Sequence, residues 1–336
     1  MVRSPASTPY TRRQVCTFAI GAACATAFPI VRAQRPARPQ ARILCGFPPG
    51  DPIDTLARRF ADQLRGTYAD VVIVDNKPGA GGRIAAGAMR GASADGSVLL
   101  FTPASMLVVY PHVYRHLPYD SLRDVVPVSQ VTQVNFAFAV GPMVPPEVRT
   151  LAQFLDWCKA HPSQASYGAS GQGSSPHLTA ALLSKLSGVP MTMVPYRGGL
   201  LAVTDVMSGQ VAAAVTTHPL MVPHHQAGKL RVLAISSASR LAQLPDVPTF
   251  AESGFPQLVT SEWFGVFLPA GTQPAIAGEA NAAIRAAAAT QDVANALAGL
   301  SLPVVTSELD AFQQQFVADH DLWGRIVQEL DIPRMD

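Results

Sequence analysis

Apolar residues recur along the chain in two alternating rhythms. Residues 42–47 form a short apolar run that stops at Pro48-Pro49-Gly50. Leu56, Phe60 and Leu64 then fall at i, i+4 and i+8, one face of a helix over 54–64. Val71 to Val74 predict a buried strand, Pro78-Gly79-Ala80-Gly81-Gly82 a turn, 84–89 a helix and 98–102 another strand. This β-α-β-α-β order predicts a parallel sheet with crossover helices. A second series follows, with strands over 136–140, 166–170, 211–215 and 230–235. Its helices are expected over 151–160, and over 176–186 with Leu178, Leu182 and Leu186 in register. A long terminal helix over 307–330 carries Phe312, Phe316, Trp323, Ile326 and Leu330 along one side. The two series imply an α/β protein of two doubly wound lobes. Ligands of such sheets bind beyond the strand carboxyl ends, here the loops 48–54, 102–105 and 170–175.

Composition narrows the class. The 336 residues are 48% hydrophobic and 14% charged, which excludes a disordered chain. The net charge of +2 gives no basic field for a nucleic-acid backbone. The N-terminus reads as an export signal over residues 1–33. A basic start, an apolar run from Val15 to Val31 and Val31-Arg32-Ala33 place cleavage after Ala33. Thr11-Arg12-Arg13-Gln14-Val15 leaves the twin-arginine and general secretory routes both open. A membrane anchor would need a longer span, and Cys24 has Gly21 where a lipoprotein site has leucine. Removing the leader takes four arginines and no acid, so the expected periplasmic body carries a net charge of −2. Cys45 and Cys158 remain, and two buried thiols are expected rather than a disulfide.

Catalytic constellations are missing from the sequence. There is no G-x-x-x-x-G-K-[ST] and no H-E-x-x-H, and Gly168-Ala169-Ser170-Gly171-Gln172 falls one glycine short of a nucleophile elbow. Gly171 and Gly173 lack the third glycine and the later acid of a dinucleotide site. His112, His116, His218, His224 and His225 have no acid or thiol near them to complete a metal site and read as surface or loop histidines. No cofactor or metal is expected. What the chain does offer is an anion cradle, Ser170-Gly171-Gln172-Gly173-Ser174-Ser175-Pro176. In it Ser175 is the expected N-cap, Pro176 the first helical residue, and the glycines let backbone N–H groups face a ligand. A plain helix cap is the alternative.

Several segments resemble the Bug-type receptors of tripartite tricarboxylate transporters. They are Phe47-Pro48-Pro49-Gly50 with Asp54-Thr55, Asn76 to Gly82, Leu117-Pro118-Tyr119-Asp120 with Leu122-Arg123-Asp124, Gly171 to Leu178, and Val194-Pro195-Tyr196-Arg197-Gly198. Gly209-Gln210-Val211, Gly228-Lys229-Leu230-Arg231, Leu244 to Thr249 and Trp263-Phe264-Gly265 continue the series in order. The resemblance implies a type II periplasmic-binding-protein fold, with a first lobe of 34–134 plus 260–336 and a second of 135–259. It implies a monomer that closes on a small carboxylate and presents it to membrane permease subunits, without catalysis. A sensor receptor serving a signalling partner is the alternative. Carried over by motif, the ligand-binding residues are Phe47, Pro49, Gly50 and Asp54 in the first loop, and Thr102 and Ser105 after the third strand. The opposing loop supplies Ser170, Gly171, Gln172, Gly173, Ser174 and His177, and the second lobe supplies Tyr196, Arg197 and Gly198. Tyr196 reads equally as a wedge between lobes, and Trp263 as a ligand contact or a hinge-side core residue. Two positions depart from the family pattern: Asp51 stands in place of glycine, and Thr216 in place of aspartate. Both bear on ligand chemistry. Asp51 is also a fitting N-cap with Pro52 at N1 and Asp54 at N3, either on the solvent side or in the cleft.

Overall fold

The computed structural model describes residues 38–329 and 334–336. The expected leader and Leu330 lie outside the described residues. The chain opens with β1 (Gln40–Cys45), α1 (Pro52–Leu64), β2 (Val71–Asn76), α2 (Arg83–Gly87) and β3 (Val98–Pro103). Two single-turn helices, α3 (Ser105–Val108) and α4 (Tyr110–Val113), lead to β4 (Val125–Val134). Asn135 separates β4 from β5 (Phe136–Val140). Then come α5 (Leu151–Ala160), β6 (Ser166–Ala169), α6 (Ser175–Ser187), β7 (Thr192–Pro195), α7 (Gly199–Met207), β8 (Ala213–Thr217), α8 (His218–Gln226) and β9 (Arg231–Ile235). The chain ends in β10 (Glu262–Pro269), α9 (Pro274–Ala288), α10 (Gln291–Gly299) and α11 (Leu309–Glu329).

The strands form two five-stranded sheets, ordered β2-β1-β3-β10-β4 and β7-β6-β8-β5-β9. The first three strands run parallel as expected, and each sheet also takes in one strand of opposite direction. β1 runs parallel to β2 and β3, and β6 parallel to β7 and β8, but β10 and β5 are antiparallel to both their neighbours. In each sheet the antiparallel strand is the one that arrives from the other lobe, so it enters against the direction of its hosts. The same order thus occurs twice, a repeat of topology without a repeat of sequence.

Local sequence explains the elements that carry the cleft. In α1, Asp51 caps the helix by accepting from Ile53 N at 3.2 Å, Pro52 opens it, and Leu56, Phe60 and Leu64 are buried. The α6 cap is Ser174, not the expected Ser175, and Gly188 ends the helix in the left-handed region. Leu186 is exposed, so the buried stripe of α6 runs through Leu178, Thr179, Ala180 and Leu183 instead. The strand expected over 211–215 sits two residues later, because Val211 and Ala212 belong to the turn after α7. Helix α11 begins at Leu309 and packs Phe312 and Phe316 on Trp263 and Phe267 of the first sheet. Cys45 and Cys158 are buried and unpaired, with burial pushing both thiols up to about 12.

The crossing strands are tied to each other. Phe136 N donates to Ser236 Oγ at 2.8 Å, Ser236 Oγ donates to Thr260 O at 2.7 Å, and Asn135 Nδ2 reaches the same carbonyl at 3.0 Å. His218, expected as a surface or loop histidine, is buried at the first position of α8. Its ring nitrogens lie 3.1 Å from Asn135 O and 3.2 Å from Ser301 O, next to this crossing.

Candidate functional site

The loops at the strand carboxyl ends of both sheets converge on a cavity of about 30 Å³. The first lobe contributes Phe47, Asp51 and Ile53 from the β1–α1 loop, and Pro103, Ser105 and Tyr110 beyond β3. The second contributes Ser170, Ser174 and Pro176 from the β6–α6 loop, and Gly199, Thr216 and Thr217 around the starts of α7 and α8. Glu262 and Phe264 of β10 complete the wall.

Six of the residues proposed from sequence meet there: Phe47, Asp51, Ser105, Ser170, Ser174 and Thr216. The others surround the wall without forming part of it. Pro49, Gly50 and Arg197 are exposed. Asp54 turns back into its own loop, where it takes Arg58 at 2.9 and 3.0 Å, Asn76 Nδ2 at 2.7 Å and Gly50 N at 3.0 Å. Thr102 lies buried behind Pro103, 3.4 Å from Met106 Sδ. Tyr196 donates to Asp205 at 2.8 Å and lays its ring over Gly168. Trp263 donates from Nε1 to Asp319 at 2.8 Å and packs edge-on against Phe312.

Gly171, Gln172, Gly173 and Gly198 serve contact between the lobes. Gly171, at φ +127°, lies so close to Gly81 that a Cβ would meet its Cα at 2.9 Å. Tyr114 donates its hydroxyl to Gln172 O at 2.5 Å. Gly173 faces Val113, Tyr114 and Met335, and its N–H is taken by His177 Nδ1 at 2.8 Å. Gly198 faces Pro48. The lobes therefore touch across the cleft.

The electrostatics of the wall rest on two carboxyl groups. Asp51 is buried and faces α7, with its Oδ2 3.7 Å from where a Cβ on Gly198 would stand. Burial pushes its carboxyl up to about 7, Ile53 N–H opposes this, and the neighbouring Asp54 charge adds to it. Glu262 was not foreseen. It accepts from Ser105 N at 2.6 Å and Ser175 Oγ at 3.4 Å, which links the two lobes, and burial likewise pushes it up to about 7. An acid heading an otherwise apolar strand was the available signal, since a buried charge needs a partner. No lysine or arginine lies on the wall. His177 is pushed down to about 4 by burial and is neutral at physiological pH. The hydroxyl of Thr217 is buried without a partner. The helices α7 and α8 both start without a side-chain cap. The first-turn N–H groups of α7 offer an anion position at the cavity, whereas in α8 His218 N donates to Asn135 O at 3.0 Å and Pro219 has no N–H.

A wider groove of about 420 Å³ lies on the other side of Glu262, between α6, the segment 257–263 and α11. Among the described residues no helix is long and apolar enough to cross a membrane, and no cluster of histidine, cysteine and acids has metal-binding geometry.

Residues 56–332 match the model of the tripartite tricarboxylate transporter family receptor. The protein BugT of Bordetella pertussis is 35% identical over 305 residues, which cover 90% of this chain and 92% of BugT. Among solved structures, the periplasmic binding protein BugD superposes with a TM-score of 0.80 at 25% identity, over 89% of this chain and 100% of BugD. Rpa4515 of R. palustris, solved with adipate, superposes with a TM-score of 0.81 at 28% identity, over 89% and 99%. The two-lobe α/β architecture is that of the periplasmic binding proteins.

Proposed function

The chain belongs to the tripartite tricarboxylate transporter receptor family, and on that premise we propose that it captures a small carboxylate-bearing metabolite between its lobes and hands it to membrane permease subunits. The observation that carries this reading is the cavity itself. Its wall is drawn from both lobes, lined by hydroxyls, and flanked by the start of α7, whose N–H groups lack a side-chain cap. Such N–H groups stabilise a carboxylate without a cationic side chain. The lobes are 34–134 plus 260–336 and 135–259, so each crossing strand doubles as a hinge. Residues 1–33 direct export to the periplasm and are removed there, and the mature chain acts as a monomer.

Mass spectrometry of small molecules released on denaturing the purified protein tests capture. A carboxylate released in stoichiometric amount is expected, and binding of none from a carboxylate panel would refute the reading. Uptake of that ligand into cells, with and without this chain, tests delivery. Unimpaired uptake without it would favour the sensor reading instead.

A further inference from the structure

Residues 334–336 lie along the segment that follows α4 in the first lobe. Met335 pairs with Tyr114 in a single parallel bridge, in which Met335 N donates to Val113 O at 2.7 Å and Arg115 N donates to Met335 O at 2.9 Å. Arg115 and Asp336 add an exposed ion pair at 3.7 Å, which contributes little in water. The Met335 side chain packs against the first-lobe core. Both backbone hydrogen bonds of Met335 are thus made to the first lobe.

The tip of that side chain meets the second lobe. Gly173 belongs to the β6–α6 loop, and a Cβ there would stand 2.8 Å from Met335 Cε, 2.8 Å from Val113 Cγ2 and 3.1 Å from Tyr114 Cε2. These three atoms close over the bare backbone of Gly173, whose φ of +77° also favours glycine. Next along the loop, Gln172 O accepts the Tyr114 hydroxyl. Tyr114 is fixed from its own lobe, with the Arg83 guanidinium 3.9 Å over its ring and Tyr110 edge-on at 5.2 Å. Met335 is half-buried at this junction. A flexible thioether suits a contact that must form and part.

We propose that residues 334–336 form a clasp on the closed state, anchored to the first lobe by the backbone bridge at 113–115 and closed over Gly173 of the second by the Met335 side chain. The anchor and the seat lie in different lobes, so opening must lift Met335 off Gly173 while the bridge to Val113 and Arg115 stays. The contact therefore stabilises the closed form alone. Met335 forms no part of the cavity wall. The clasp thus goes beyond the capture proposed above: it retains whatever the cleft holds without selecting it.

Hydrogen exchange read by mass spectrometry tests this on the mature protein, both as purified and with malate or adipate at millimolar concentration. Met335→Ala removes the side chain and keeps the backbone bridge. A stop in place of Arg334 removes both. Neither change touches a residue of the second lobe. In at least one of these conditions, each variant is nevertheless expected to speed exchange across residues 170–175 at least fivefold, with β1 and β8 exchanging as in the wild type. The shortened chain should also speed exchange across 113–115, where the bridge is lost. If Met335 only covers the first-lobe core, Met335→Ala leaves 170–175 at the wild-type rate in every condition, and that result overturns the clasp. Faster exchange at 170–175 that β1 and β8 share equally is a general loss of stability and overturns it as well. Capture is read separately, from the small molecule released on denaturation, so each reading can fail while the other stands.

Discussion

Asp51 and Asp54 stand three residues apart in one loop and are held in opposite electrostatic states. Burial raises Asp54 too, but Arg58, Asn76 and Gly50 N–H outweigh it and hold the carboxyl below its ordinary value. Asp51 has only Ile53 N–H to oppose burial, and Glu262 only its serine partners. A carboxyl raised from 3.8 to about 7 corresponds to roughly 4 kcal/mol between its two protonation states. Between those values the folded state binds more protons than the unfolded chain, so stability falls as pH rises. For Asp51 and Glu262 this contribution is fully present below pH 4 and lost as pH passes through about 7. Asp54 has the opposite sign, and its contribution is lost only in acid below its ordinary range. The melting temperature of the ligand-free protein is therefore expected to decline from about pH 5 to about pH 7 and to level off above it. Glu262→Gln should flatten that decline. A wild-type profile that rises across this interval would contradict the assignment. The Asp51 cap was legible from Asp51-Pro52-Ile53-Asp54 alone, but whether it faced solvent or cleft was not, because that depends on where α7 of the other lobe comes to rest.

Helix α11 shows what binds an element that is distant in sequence to its sheet. Phe312 is wholly buried, with its ring 5.1 Å from Trp263 and 5.6 Å from Phe267. Gly265 leaves room for it, since a Cβ there would stand 2.7 Å from the Phe312 ring. Phe312→Ala is expected to cost about 3–5 kcal/mol, readable by guanidinium denaturation, and a loss below 1 kcal/mol would mean that α11 is not part of the first core. This helix was legible because bulky residues mark its face. Helix α9 was not, because its buried positions are mostly alanine, such as Ala277, Ala280 and Ala287, which mark no face in a sequence rich in alanine; α10 buries only Val293 and Leu297, too few to set a period. Strand β4 was hidden for a different reason. Pro127, Ser129, Gln130 and Thr132 interrupt its apolar pattern, and the proline is tolerated because β4 is the sheet edge. Thr132 Oγ1 and Gln130 N find partners in Pro303 O at 2.6 Å and Ser307 Oγ at 3.0 Å. Those partners come from far along the chain. Glu262 escaped notice on the same grounds, because its burial is created by Ser105 and Ser175 of different lobes.

At the scale of the molecule, the contacts across the cleft define a closed arrangement that ligand binding should favour. Closure is driven only by what the ligand binds better in that state, so weakening the contacts between lobes should weaken affinity without touching the cavity wall. Tyr114→Phe deletes the hydroxyl that Gln172 O accepts. A neutral hydrogen bond contributes about 1 kcal/mol, equivalent to about fivefold in affinity. Gly171→Ala acts more severely, because its Cβ would stand 2.9 Å from Gly81 Cα and its φ of +127° disfavours any side chain. That variant is expected to lose at least tenfold in affinity and to show no decrease in radius of gyration on adding ligand. The wild-type protein, if purified free of ligand and open, should contract. Small-angle scattering and calorimetry on the same samples separate the outcomes. The strain at residue 171 lowers stability locally, so Tyr114→Phe serves as the control that carries none. If both variants bind as the wild type does, the contacts at Gly81, Gly171 and Gln172 are incidental to closure, and the hinge at Asn135, Ser236 and Thr260 must set the closed state.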